Sequence, residues 1–336
     1  MRGSIKSQIT AVLKHCTRIG MSRHEAKIKH GGKSPFIHSF GTLDKVTHRL
    51  WPLQDWLKNL RIRDLEALDD ALVAAYLADR FDHHLRNGSA RKTFQTEVSA
   101  LGNLERGLTL FSASHRTPPR VYDFSLARKS AAKQAKGLPL KTGRYSNRAT
   151  SDPLALIKAL PTKRHQLMAY LQLYCGCRCE GVGAPRRKPS GNVFFSMKNF
   201  QDIDGTMLAR ELDPVTGLLM QPLWTKEKGG KMAQKLCPLW LADAVMEWCI
   251  EHSEGLGDAY ETYLGAINHA MKETGQYVRG KGTHSLRFSF AQARYAACIF
   301  PNGETFGHGM CDESAKLQVS NEMSHNRPDI TESYLK

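Results

Sequence analysis

Between residues 44 and 111 apolar side chains recur three and four positions apart. Val46, Leu50, Leu53, Leu57 and Leu60 form one stripe, and Leu65, Leu68, Leu72, Val73, Tyr76 and Leu77 a second. Phe94, Val98, Leu101, Leu104, Leu108 and Phe111 form a third. A stripe of that period exists only on a helix, and each such face must be buried against another. Residues 41–115 are therefore expected to form a compact bundle of three or four helices. The pattern then stops: residues 116–148 carry nine Lys/Arg and a single acid, Asp123, with little apolar period. This reads as a basic linker spanning 116–150. Beyond it, Leu154–Leu160 and Leu167–Tyr174 read as helices, and Leu218–Leu239 as two strands about a Gly229-Gly230 turn. Further helices are expected at 239–251, 260–273 and 284–298. The fold class expected is mainly α with a small β-sheet, a helical domain followed by a mixed α/β domain at 151–336.

Ahead of the bundle, residues 1–34 hold eight Lys/Arg against Glu25 alone. Residues 1–40 read as a basic N-terminal arm in which Ile5, Ile9, Val12, Leu13 and Cys16 mark a short amphipathic helix, with a flexible GGKS segment after it. A length of 336 residues suits two domains, and 41% hydrophobic residues suffice for ordinary cores. No stretch approaches the roughly 18 apolar residues that span a bilayer, and the N-terminus lacks the pattern of a signal peptide. A cytoplasmic protein with no membrane partner is expected.

The formal charge of +16 implies a polyanionic partner, with affinity that falls steeply as salt rises. Arg128, Lys129 and Lys133 in the basic segment are the candidate DNA-binding residues. Eight cysteines in a large chain of cytoplasmic character are expected to stay reduced. Cys175, Cys177 and Cys179 lack the spacing of a zinc knuckle, and Cys298, His308 and Cys311 read as an ordinary loop, so no metal site and no cofactor are expected.

In the second half a few chemistry-bearing residues stand out in order. They are Arg178 in CGCRCEG, Lys228 in the hairpin TKEKGGK, His284 and Arg287 in HSLR, then His325 and Tyr334 in SHNRPDITESY. On a helix, residues three apart share a face, so an imidazole and a guanidinium at 284 and 287 can address one anion. A solvated pair is the alternative for a lone HxxR. The ordered set resembles the tyrosine recombinase (phage-type integrase) family. MSHNRPDITESYL resembles that family's second His box and nucleophile, and HSLRFSFAQARY the form of the HxxR helix in a subgroup of bacterial, mobile-element integrases. The matched segments lie between about residues 170 and 336; the helical bundle resembles the family's core-binding domain in position and period only.

What the resemblance implies is a site-specific DNA recombinase (integrase), acting in DNA integration through a 3′-phosphotyrosyl intermediate, with a catalytic domain that closes as a clamp on double-stranded DNA. Arg178 and Arg287 would hold the nonbridging oxygens, His284 and His325 would donate or shuttle protons, and Tyr334 would attack. A hairpin lysine would protonate the departing 5′ oxygen: Lys228 is favoured just before the turn, with Lys226 and Lys231 as competitors. Glu180 matches an acid that braces the first Arg, a solvated carboxylate being the alternative. His325 bracing the turn before Pro328, and Tyr334 as a half-buried aromatic, are the structural alternatives for those two. Pro328 suits a first helical turn, which puts Tyr334 about two turns into a final helix. A homo-tetramer on DNA is implied, with accessory DNA-bending proteins possible.

Three features depart from the family pattern. About 50 residues separate Arg178 from Lys228, including the basic GAPRRKPSGN stretch, and FPNGETFGHGMCDESAKLQ extends the segment between Arg287 and His325. The sequence also stops two residues past Tyr334, so the tail that relatives donate to a neighbour is expected to be replaced by another element. Two other functions fit the same residues: a type IB topoisomerase-like nicking and closing enzyme, and a catalytically idle DNA-binding relative.

Overall fold

The structure, a computed structural model, describes residues 1–21, 23–32, 34–140, 148–185, 195–227, 232–300, 309–324 and 328–335. It divides into two units, Met1–Arg144 and Tyr145–Lys336. Among the described residues no helix is long and apolar enough to cross a membrane.

The first unit contains α1 (Ile5–His15), α2 (Arg23–Lys29), α3 (Phe40–Asn59), α4 (Asp70–Arg86), α5 (Arg91–His115) and α6 (Ser125–Gln134). Most of the three apolar stripes lie on the buried faces of α3, α4 and α5, and Leu50, Leu53, Leu57, Tyr76, Phe94 and Leu101 lie in one core; Leu60, just past α3, is exposed, and Leu65 and Leu68 are buried ahead of α4, about a 3-10 turn at Leu65–Ala67. Ser39 and Asp69 begin α3 and α4 by accepting from the amides of Thr42 and Leu72 at 3.2 and 2.8 Å, as short polar side chains do for the unpaired amides of a first turn.

Two segments differ from expectation. The arm expected at 1–40 is part of the bundle: Ile5, Ile9, Val12 and Leu13 are buried in its core. Gly107 of α5 lets α1 approach so closely that a Cβ there would lie 2.9 Å from the Val12 carbonyl oxygen. The segment expected as a linker carries α6, which buries Ala127 and Ala131 in the same core. Its first turn is held by acids of other helices, with Glu105 accepting from the Phe124 amide at 2.9 Å and Asp70 from the Ala127 amide at 3.0 Å. A face built from alanines is too weakly apolar to register as a hydrophobic stripe, yet it packs closely on a neighbouring helix.

The second unit opens with α7 (Pro153–Lys158) and α8 (Lys163–Tyr174). A three-stranded antiparallel sheet follows, β1 (Glu211–Leu212), β2 (Leu219–Lys226) and β3 (Met232–Pro238), in the order β1-β2-β3. Then come α9 (Leu239–Glu251), α10 (Tyr260–Glu273), α11 (Ser285–Ile299), α12 (Asp312–Glu322) and α13 (Pro328–Leu335). The fold class is thus mainly α with a small sheet. α12 occupies the second half of the extension that the sequence left without a role. Leu223 faces Lys235 across the hairpin, and Thr225 faces Ala233; because strand side chains alternate, Leu223, Thr225, Lys235 and Cys237 share the inner face. A satellite core of Phe288, Phe290, Ala291, Val319, Met323 and Tyr334 joins α11, α12 and α13.

Candidate active site

α8 ends at Tyr174, and the chain turns at Gly176 with a φ of +60°. A Cβ at Gly176 would sit 2.5 Å from the Phe290 ring, so only glycine lets this turn lie against α11. The turn brings Arg178 beside the sheet. Its Nη1 donates to Oε2 of Glu227, a carboxylate that directly follows β2 and is 3% exposed.

Arg287 lies in the first turn of α11 and is fully enclosed, at 0% exposure. Its Nη1 donates to the Gly176 carbonyl and its Nη2 to the Met323 carbonyl. The same Nη1 is 3.8 Å from Glu227 Oε1. Two arginines 109 positions apart thus meet over one carboxylate. Burial pushes the Arg287 guanidinium below its ordinary value, and Glu227 opposes that shift.

A third cation, buried, lies close by. Lys235, on the inner face of β3, donates to the Glu322 carbonyl and to Ser324 Oγ, the latter at 2.8 Å. Burial pushes its ammonium down to about 8, against the pull of Glu227. Arg287 and Lys235 between them clasp the turn Glu322–Met323–Ser324, in which Ser324 takes the left-handed conformation at φ +58°.

His284 closes a short 3-10 turn (Gly282–His284) that leads into α11, three residues before Arg287. Tyr334 is on α13, 9% exposed, with its ring 4.2 Å from that of Phe288, the residue after Arg287. Gln292 of α11 donates to the Tyr334 carbonyl at 3.1 Å and fixes the end of α13. Arg178, Arg287, His284 and Tyr334 therefore all belong to one unit, with Arg178 and Arg287 brought together through Glu227. Lys228, Lys231 and His325 lie outside the described residues. Lys226 is exposed and stands on the opposite face of β2 from Thr225 and Glu227, which turns it away from the arginine pair.

Glu180 accepts from the Cys179 thiol at 3.1 Å, while the carboxylate that sequence reading missed, Glu227, holds Arg178. Lys235 was missed as well. The signal for both was strand parity: position 227 shares its face with Leu223 and Thr225, and position 235 with Cys237. The thiols of Cys175 and Cys177 are buried and pushed well up from their ordinary value, Cys175 chiefly by desolvation and Cys177 by its bond to Cys175 and then desolvation. His308 lies outside the described residues. Among the candidate DNA-binding residues of α6, Arg128 is engaged by Glu105, at 3.0 Å, and serves the bundle; Lys129 and Lys133 are exposed.

The frame under the site is an ionic knot. Arg294 of α11 forks onto Asp213 and Glu322, with 2.7 Å bonds to each, tying α11 to the sheet and to α12. Burial opposes ionisation of Asp213, but Arg294 and the Thr216 hydroxyl outweigh it and hold the carboxyl down at about 2. A depressed carboxyl stabilises the fold above its unfolded value near 3.8, and that contribution disappears as pH falls toward 2. Discounted for solvent screening it amounts to about 1 kcal/mol. The stability gap between wild type and Asp213→Asn, read from urea midpoints, should therefore be widest at neutral pH and shrink between pH 4 and 2. A gap independent of pH would show that Asp213 acts by packing alone.

No protein-family model matches the sequence, and no curated protein matches it. Solved structures do. The XerH site-specific recombinase bound to palindromic difH substrate, a post-cleavage complex, aligns with a TM-score of 0.56 at 13% identity, covering 94% of this chain and 81% of that one. The XerH pre-cleavage complex with difH gives 0.55 at 13% identity, over 99% and 82%. A lambda integrase dimer bound to a COC′ core site aligns at 0.48 with 14% identity, over 93% of both chains. The likeness to XerH spans nearly the whole chain, and the fold of this chain is that of the tyrosine recombinases.

Proposed function

We propose that the protein is a site-specific DNA recombinase of integrase type, which cuts and rejoins double-stranded DNA through a covalent tyrosyl intermediate. One observation carries the reading. Among the described residues Arg178, half-buried, and Arg287, buried, face the carboxylate of Glu227, and the buried Lys235 feels its charge, on the unit whose last helix holds a tyrosine against the arginine helix. Burying charge without full compensation costs several kcal/mol per ion in real proteins, so a site with such an excess is suited to receive an anion. That the XerH complexes contain DNA supports a phosphodiester as the anion.

In the proposed reaction Tyr334 Oη attacks the scissile phosphorus. Arg178 and Arg287 hold the nonbridging oxygens, where negative charge grows, with the forked geometry that an ammonium lacks. The P–O bond to the 5′ oxygen breaks as a hairpin lysine, Lys228, supplies its proton. His284 and His325 handle the proton of the phenol and of the incoming hydroxyl. The new 3′-phosphotyrosyl bond keeps the energy of the phosphodiester, so a 5′ hydroxyl of a second strand reverses the step without ATP. Because Arg287 is wholly enclosed in the free chain, entry of DNA must first open the turn at Met323. Lys129 and Lys133 serve the flanking phosphates. A homo-tetramer bringing two duplexes together completes the exchange.

The test is incubation with a nicked suicide duplex carrying the cognate end, followed by a denaturing gel. A protein-DNA adduct is expected. DNA binding without an adduct on such a substrate would favour the catalytically idle relative, and adduct formation with relaxation but no strand exchange between two marked duplexes would favour the topoisomerase-like enzyme.

A further inference from the structure

Glu227 has an uneven hold on the two arginines. Its Oε2 accepts from Arg178 Nη1, whereas its Oε1 stands 3.8 Å from Arg287 Nη1 and accepts no hydrogen bond among the described residues. Arg287 is anchored independently, through the carbonyls of Gly176 and Met323. Among the described residues Glu227 is the hydrogen-bond acceptor for the Arg178 guanidinium. The carboxylate is 3% exposed and directly follows β2, one residue past the last strand pair, Lys226 with Met232.

A long guanidinium side chain with one tether is aimed by that tether. Half-buried near a second guanidinium, it is also repelled by it, and a carboxylate between the two lowers the repulsion that would spread them. We propose that Glu227 is a positioning residue for strand cleavage: it aims Arg178 at the scissile phosphate, and it stays in place when DNA binds. This inference rests on the recombinase reading and deepens it. The alternative for the same geometry is a carboxylate that occupies the phosphate's seat and must be displaced, and the two make opposite predictions.

The experiment uses the full chain with Glu227→Gln, which keeps size and shape while removing the charge, Glu227→Asp, Arg178→Ala, Arg287→Ala and the double variants with Glu227→Gln. Thermal unfolding establishes that each is folded. Single-turnover adduct formation on saturating nicked duplex is expected to fall about 100-fold for Glu227→Gln, the scale of a misplaced contact group, while the DNA Kd changes less than about threefold. Adding Glu227→Gln to Arg178→Ala should cost nothing further, because the residue it aims is gone; adding it to Arg287→Ala should cost nearly the full factor. Glu227→Asp should recover part of the rate. Faster cleavage by Glu227→Gln, or full additivity with Arg178→Ala, overturns the proposal.

If the wild type forms no adduct, the recombinase reading fails by itself, and Glu227 is then judged on inorganic phosphate. Phosphate should raise the unfolding temperature of the wild type and do so less for both Glu227→Gln and Arg178→Ala. A larger rise for Glu227→Gln than for wild type would mean that the carboxylate competes with the anion, and would overturn the proposal on that arm too.

Discussion

Tyr334→Phe is expected to bind DNA as the wild type does and to form no covalent adduct. The substitution removes one oxygen and leaves the surroundings of the ring intact. Phe288 still packs at the same face, and the Gln292 bond goes to the backbone carbonyl of residue 334, which any side chain retains. The charged residues proposed to meet the DNA are untouched, so affinity should hold within about twofold. Loss of a covalent nucleophile typically costs at least about four orders of magnitude, which puts the adduct below detection on a denaturing gel. An adduct formed by the Phe variant at a normal rate would remove Tyr334 from the mechanism.

Arg287→Lys is expected to damage both stability and rate, which sets it apart from every exposed basic residue of the chain. Its guanidinium serves two backbone carbonyls in different directions, Gly176 on the turn after α8 and Met323 on the turn before α13. An ammonium at the end of a narrower side chain cannot reach both and still face a phosphate. Each buried carbonyl left unpaired costs about 1–3 kcal/mol, to be read as a lower urea midpoint. Removing one preorganised donor from a transition-state clamp costs about 10²–10³-fold in rate, to be read in single turnover at saturating DNA. A Lys variant of unchanged stability would mean that the two turns are held by other contacts. Unchanged cleavage would take Arg287 out of the clamp.

The legible part of this chain was its strong periods. α3, α4 and α5 follow from leucine-rich stripes, and the helices near 239–251, 260–273 and 284–298 and two paired strands within 218–239 stand close to where the pattern put them, while the turn expected at Gly229-Gly230 lies outside the described residues. Weak periods hid the rest. α6 packs through alanines, which bury little apolar area per residue, and α12 is polar on most of its length with Ala315 and Val319 as its buried residues. In the site, Arg178 and Arg287 were recognisable by motif, and the structure joins them through a partner no motif contains. Glu227 sits inside the highly charged TKEKGGK string, which looks like a solvated hairpin, and only pairing of the strands reveals that it points inward. The same logic hid Lys235. Ion pairs between distant segments are products of tertiary register, and local spacing holds no record of them.

That register has a consequence for how the hairpin can vary. Glu227 and Lys235 stand on one face because β2 pairs with β3 as Leu223 with Lys235 and Thr225 with Ala233. A slip of one residue along either strand would send that strand's inward set to the solvent and bring its outward set in, exchanging Glu227 for Lys226 or Lys235 for Gln234. The arginine pair would then face either a fourth cation or a neutral amide. A single inserted residue inside β2 would thus put a cation where the arginines now meet an acid, and one inside β3 would take the third cation away, each while leaving a hairpin of ordinary appearance.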